Sequence, residues 1–279
     1  MTRLLLALLL AAAACTPDFQ AASDVRDLRV LAVQAEPPEA QFDDSSVDAV
    51  RVRVLAVDPS DPSAITMHAQ LCAPTDSRRC DEGGVIDLGV VPLTFDLAVP
   101  PEVIALARES DDLKGFGGIR VQFAFSLDHG DPRGAIYGSK VLLFSPRGGK
   151  PNQNPQIAAI KLSRDGQALP EAQPGATLEL PREVEIGLRP DALASLEQYT
   201  TVDLRGNVVT LPEQPRYFFF VGPGAEVDRD TADEPVDHVA PPDGLSRVTL
   251  HGNAATLWIV VRDGRGGESW VELDLAAAP

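Results

Sequence analysis

The chain has 279 residues, 44% of them hydrophobic, with 41 acidic side chains against 24 basic ones and a net charge of −17. That apolar content is enough to build a core and sets intrinsic disorder aside, while the acidity opposes binding to nucleic acid or to anionic lipid surfaces. The length suits one large domain or two ordinary ones of about 100–200 residues each.

The amino end is read first. Arg3 gives a positive start, Leu4 to Leu10 is an apolar run, Ala11 to Ala14 are small, and Cys15 follows. That is the order of a secretory signal. The apolar run is too short to span a bilayer, which takes about 20 residues. Ala12, Ala13, Ala14 and Cys15 resemble the lipobox of bacterial lipoproteins, although that family prefers Leu where Ala12 stands. The resemblance implies removal of residues 1–14, a diacylglycerol on the Cys15 sulfur and an acylated new amino terminus, so the membrane becomes a partner. The alternative is a plain signal with an incidental Cys. Each buried methylene contributes about 0.8 kcal/mol, so two or more acyl chains anchor a protein stably. Residues 15–24 then read as the lipidated Cys and a short polar tether.

Residues 25–146 read as a first domain. Asp27 to Val33 begins a strand, and Pro37 and Pro38 close it, since neither proline fits a central ladder. Val50, Val52, Val54 and Ala56 alternate with Arg51, Arg53 and Leu55, a half-buried strand within Val47 to Val57. Ala64 to Leu71 is another. It leads into Cys72 and Cys80, which flank a turn-rich tip. In an exported chain two close cysteines are expected to bridge, and no His or further Cys lies near enough to suggest a metal pair. Val85 to Leu97, broken by Gly89 and Pro92, suits two short strands or one edge strand. Pro101 and Glu102 suit a first helical turn, and Val103, Leu106 and Ala107 share a face, so a short helix is expected there. Ile119 to Leu127 and Ile136 to Phe144 read as a hairpin around the Asp128 to Gly134 turn. Ser145 to Pro155 is rich in Pro, Gly and Asn, and residues 147–155 are taken as a linker.

The second domain, residues 156–276, repeats this grammar. Strands are expected at Gln156 to Leu162, Thr177 to Leu180, across Val184, Ile186 and Leu188, and at Arg216 to Val221 and Arg247 to Leu250. Asp191 is expected to cap a short helix through Gln198. Thr201 to Leu204 and Val208 to Leu211 flank a turn at Arg205, Gly206 and Asn207. The last hairpin, Thr256 to Leu275, turns at Asp263 to Gly267. Many short strands with turns between them predict an all-β chain of two antiparallel β-sandwiches. The stretch Leu257 to Trp270, the opening Leu28 to Glu39 and Gly117 to Phe123 resemble strands of immunoglobulin-like and PKD-like modules. With the lipobox they resemble uncharacterised lipoproteins of myxobacteria and related Gram-negative bacteria. This implies two immunoglobulin-like domains behind a lipoprotein signal and brings no catalytic residues to transfer.

Candidate sites are sparse. Asp228, Asp230, Asp233 and Glu234, with Asp237 near, supply oxygens for a calcium ion, against the alternative of a solvated acidic loop. No other cofactor is suggested. Asp128, His129 and Asp131 pair a base with carboxylates, which a plain turn explains equally well. His68, His238 and His251 show no metal spacing. Gly264 to Gly267 is followed by a strand rather than a helix, so it is a hairpin turn and not a phosphate loop. Trp258 and Trp270 can share a face, as core packing or as a sugar platform. No nucleophile elbow or zinc-protease motif appears. The expected function is therefore a non-enzymatic, lipid-anchored binding or structural module of the cell envelope, holding an envelope protein or glycan. An enzyme of envelope polymers and a carbohydrate-binding accessory protein are the alternatives. Thr16 stands where enteric bacteria place the Asp that retains lipoproteins at the inner membrane, which leans the location toward the outer membrane.

Overall fold

The computed structural model describes residues 21–43, 46–80, 84–111, 117–203, 205–233 and 244–279. The signal segment, Cys15, Glu234, Asp237 and His238 lie outside the described residues. Two hydrophobic cores organise the chain, each between two sheets.

The first sandwich is built from β1 (Arg29–Glu36), β2 (Glu39–Phe42), β3 (Val50–Val57), β4 (Thr66–Cys72), β5 (Ile86–Val91), β6 (Thr94–Leu97), helix α1 (Pro101–Ser110), β7 (Ile119–Asp128) and β8 (Ile136–Pro146). One sheet runs β1-β3-β6 and the other β2-β8-β7-β4-β5. The period-two patterns face inward as expected. Val50, Val52 and Val54 are buried, with Met67, Leu71, Val121, Phe123, Leu127, Leu142 and Phe144. Each buried Leu, Ile, Met or Phe side chain of this kind contributes about 1.5–3 kcal/mol. Pro37 and Pro38 do end β1, but the chain resumes at once as β2, which pairs in parallel with β8. The helix forms as expected with Pro101 in its first turn. Its buried residues are Val103, Ile104 and Ala107, so Ile104 rather than Leu106 faces the core.

The second sandwich contains β9 (Ala159–Arg164), β10 (Gln167–Ala172), β11 (Thr177–Leu180), β12 (Glu185–Asp191), β13 (Gln198–Val202), β14 (Val208–Pro212), β15 (Arg216–Val221), β16 (Ala225–Val227), β17 (Thr231–Asp233), β18 (Ser246–Leu250), β19 (Ala254–Arg262) and β20 (Glu268–Ala277). Its sheets run β10-β9-β12-β18-β16 and β11-β20-β19-β15-β17, and β13 and β14 form a separate hairpin. Asp191 does not cap a helix. It ends β12, bonds Lys161 at 2.7 Å, and only a 3-10 turn follows at Leu193–Ser195. β10 carries Pro170 at a register shift on the sheet edge, where a missing N–H costs least.

The two sandwiches share one strand order. β1, β3 and β6 correspond to β9, β12 and β18. The row β2-β8-β7-β4-β5 corresponds to β11-β20-β19-β15-β17, and in both the first pair is parallel. One three-stranded set facing a sheet of the other four or five strands is the immunoglobulin-like arrangement. The chain is therefore all-β with two such folds.

Residues 147–155 do not form a loose connection. Asn152 and Asn154 are buried between the sandwiches. Asn152 donates to Asp263 at 2.8 Å, and Asn154 donates to the Ala35 carbonyl and to Glu36, both at 2.7 Å. Opposite them, the last hairpin turn contributes Arg265, whose guanidinium reaches Glu213 at 2.9 Å and Glu39 at 3.3 Å. The Glu268 carboxylate takes Lys140 at 3.1 Å and Arg262 at 2.8 Å, and also accepts the Val33 N–H. Replacing Arg265 leaves Glu213 almost wholly buried without its cation. We expect Arg265→Ala to lose about 2–3 kcal/mol in urea unfolding, below the full cost of breaking a buried pair because Arg265 keeps some water. A loss under about 0.5 kcal/mol, the size of a surface pair, would show that Arg265 does not hold the buried Glu213 carboxylate.

Candidate functional site

Strand alternation sends every second residue of the β2-β8-β7-β4-β5 sheet away from the core. Across β4, β7 and β8 this outer face carries the rows His68, Ser126 and Tyr137, then Gln70, Ala124 and Ser139, then Cys72, Gln122 and Val141. Gly138, between Tyr137 and Ser139, faces the core side, where a Cβ would stand 2.4 Å from the Phe125 ring. The floor is therefore polar and short in side chain. An open cleft of about 730 Å³ lies over it, lined also by Asp87, Arg78 and Arg79.

The tip between β4 and β5 folds over this floor. Cys72 and Cys80 are joined by a disulfide, as expected, and it packs on Ala124. Thr75 donates its hydroxyl to the Arg79 carbonyl at 2.7 Å and its N–H to Gln122 at 3.2 Å, so the loop is tied to itself and to β7. Arg78 sits at φ 56°, a left-handed conformation uncommon for a side chain of its size. The Arg79 guanidinium lies 4.7 Å over the Tyr137 ring. Exposed contacts of this type contribute about 0.5–1 kcal/mol. Val90, Tyr137 and Val141 are 65%, 62% and 47% exposed on the same face. A cationic rim and apolar side chains over a polar floor are suited to recognition. Sequence reasoning missed this face. Its residues come from four separate segments, and only the cysteine spacing hinted at the tip.

The corresponding face of the second sandwich has a different fate. Its rows are Phe220, Trp258 and Glu272, then Phe218, Val260 and Trp270, then Arg216, Arg262 and Glu268. The first sandwich covers it. Trp258 is buried with Leu31 and Val25, and Leu55, Val57 and Phe220 pack against them. Its Nε1 donates to Glu272 at 3.1 Å, and Arg53 lies 4.7 Å over the Trp270 ring. The two tryptophans do share a face, but it is an interface, so they do not form an open sugar platform.

The other candidates are placed as follows. Asp228 accepts from Ser246 at 3.1 Å and from the Arg247 N–H at 2.7 Å, and Asp233 pairs with Arg216 at 2.7 Å. The Asp230 carbonyl accepts the Phe219 N–H. Among the described residues no three His, Cys, Asp or Glu side chains gather as a metal site, and two carboxylates of the calcium set are already matched by arginines. Gly264 to Gly267 is a hairpin turn, and the Asp263 carboxylate inside it accepts the Arg265 and Gly267 N–H groups. Asp128 accepts the Gly130 N–H, and Asp131 pairs with Arg133. His129 joins neither of them. Its Nε2 meets Asp58 at 3.1 Å and its Nδ1 meets the Ser63 hydroxyl at 2.9 Å. Asp58 also accepts the Ser60 hydroxyl and the Ser60 and Asp61 N–H groups, so these residues clasp two loops. His251 lies 2.9 Å from Glu183 and 3.5 Å from Glu226.

No protein-family model matches the chain, and no curated protein matches it. Among solved structures it is similar to the two tandem V-type regions of VCBP3, a v-region-containing chitin-binding protein, at 10% identity and a TM-score of 0.27, covering 89% of this chain and all of that one. The N-terminal Ig1-2 module of the Drosophila receptor protein tyrosine phosphatase DLAR gives 10% identity and a TM-score of 0.23, covering 91% of this chain and 100% of that one. The neural ectodermal development factor IMP-L2 gives 10% and 0.21, covering 92% of this chain and 97% of that one. Likeness at this level carries no argument about function, and the immunoglobulin-like description rests on strand order.

Two outcomes follow from this geometry. Replacing both Cys72 and Cys80 by Ser should cost about 2–3 kcal/mol in chemical unfolding, the entropy of closing so short a loop. An unchanged midpoint would mean that the loop's own hydrogen bonds hold it. The hydrogen bond that His129 donates to the Asp58 carboxylate raises its pKa above the ordinary imidazole value of 6.5. The stability this adds is complete below that value and is lost as pH rises through the raised one. NMR titration should show the elevated pKa, and Asp58→Asn should return it toward 6.5. A wild-type value at or below 6.5 would dismiss the clasp.

Proposed function

We propose that this chain is a lipid-anchored binding module of the bacterial cell envelope, and that the open face of its first sandwich holds a protein partner. One observation carries the second part. The same face occurs twice, and in the second sandwich it is covered by a folded β-sandwich, while in the first it is open with Val90, Tyr137 and Val141 exposed. The partner this face suits presents an apolar patch beside carboxylates, to meet Tyr137 and Val141 together with Arg78 and Arg79. The lipobox-like run ending at Cys15 supports the anchor. The disulfide supports an oxidising compartment outside the cytoplasm. Thr16 after the lipidated Cys favours the outer membrane. Among the described residues no helix is long and apolar enough to cross a membrane, so the acyl chains would do the anchoring.

Site-specific photocrosslinking in the cells that make the protein tests this reading. A photoreactive side chain at Tyr137 or at Val141 should yield one protein adduct of defined mass. Exposed Glu179, on β11 of the second sandwich, should yield none. Arg78→Glu with Arg79→Glu should reduce the adduct several-fold. Equal adducts at all three positions, or none at Tyr137 and Val141, would reject the face as a docking site.

A further inference from the structure

The chain reaches the second sandwich before it builds the first. Residues 23–25 lie in parallel beside the end of β15: Val25 donates its N–H to the Val221 carbonyl at 2.9 Å, and Val221 donates back to the Ser23 carbonyl at 2.8 Å. Ser23 is 3% exposed and Val25 is fully buried against Leu31 and Trp258. Arg29 donates to the Ala22 carbonyl at 2.6 Å and closes the clip. The part of the expected tether from Ala22 onward is thus fixed in the fold.

This fixes the exit point. Val221 ends β15, and Gly222, Gly224, Gly252 and Asn253 lie at that same end of the second sandwich. The start of β1 and the end of β3 lie beside it, since Arg29 pairs with Val57. The network of Glu39, Asn152, Asp263 and Arg265 lies at the opposite end, where β1 finishes and β20 starts. Eight residue-to-residue steps separate Cys15 from Ser23 and reach at most about 30 Å. That is no longer than the ten-residue β20, which rises about 33 Å. An acidic body of charge −17 also resists lying flat on anionic lipid.

We infer that, once acylated at Cys15, the protein stands on the bilayer on the end where β15 finishes, with both sandwiches side by side and the Arg265 end directed away. This rests on the anchor proposed above. The test uses the acylated full chain in vesicles of phosphatidylethanolamine and phosphatidylglycerol that carry a nitroxide on a fraction of the headgroups. A fluorophore is attached through Asn253→Cys or through Lys150→Cys, both exposed, the second in the segment beside the Arg265 network. Quenching should be several-fold stronger from Asn253. Equal quenching, or stronger quenching from Lys150, on a chain shown by mass spectrometry to be acylated overturns the orientation while the anchor stands. A chain recovered from its cells without acyl groups overturns the anchor and the orientation with it.

Discussion

The structure depends on how the free edge of β1 is covered. β1 pairs with β3 on one side only, and its other edge would expose N–H and C=O groups to any passing strand. Here the second sandwich and the segment leading into it supply their partners from side chains. Glu268 accepts the Val33 N–H, and Asn154 donates to the Ala35 carbonyl. Charged groups are drawn into this seam as a result, and Glu268 and Glu213 are almost fully buried. Desolvating them is costly, and a well-packed apolar seam can be as stable or more so. The polar seam adds register instead. A carboxylate meeting Lys140, Arg262 and one backbone N–H permits few relative positions of the two bodies.

The repeated strand order makes the chain its own control. Strand order is equal in the two sandwiches, yet the rows on corresponding faces differ in kind. Phe220, Trp258, Val260 and Trp270 stand in the second where Cys72, Gln122, Ala124 and Ser139 stand in the first. The aromatic set gains by leaving water, whichever neighbour covers it. The polar, small set gains little from a dry cover, and any partner that displaced water from it would have to supply hydrogen bonds in return. Equal folds therefore lead to one face buried inside the chain and one left open.

Much of the fold was legible because its signal is local. Alternation in Val50 to Val57, in Ile119 to Leu127 and in the last hairpin comes directly from the two-residue strand period. β10 was missed because Pro170 interrupts the pattern, and β2 because Pro37 and Pro38 obscure a strand that starts one residue later. The candidate site was scarcely legible. His129 meets Asp58 and Ser63 across more than sixty residues of sequence, so its neighbours Asp128 and Asp131 gave no sign of them. Residues 147–155 read as a linker from composition alone. Proline, glycine and asparagine also describe a segment whose backbone and side-chain amides are bonded in a buried seam, and only long-range partners separate the two cases.

Charge explains why a recognition face can exist on so acidic a molecule. The net charge of −17 acts as a field only out to the screening length, about 8 Å at physiological ionic strength. Within that distance a partner on the first sandwich would meet Arg78, Arg79, His68 and Asp87 rather than the total. The distant acidity discourages unselective contact, and the arginine rim admits a carboxylate that arrives in the right place. The disulfide holds that rim over the floor, because it ties Cys80, directly after Arg79, to the end of β4. Recognition at this face, as proposed, would be set by the geometry of one short loop and not by the overall charge.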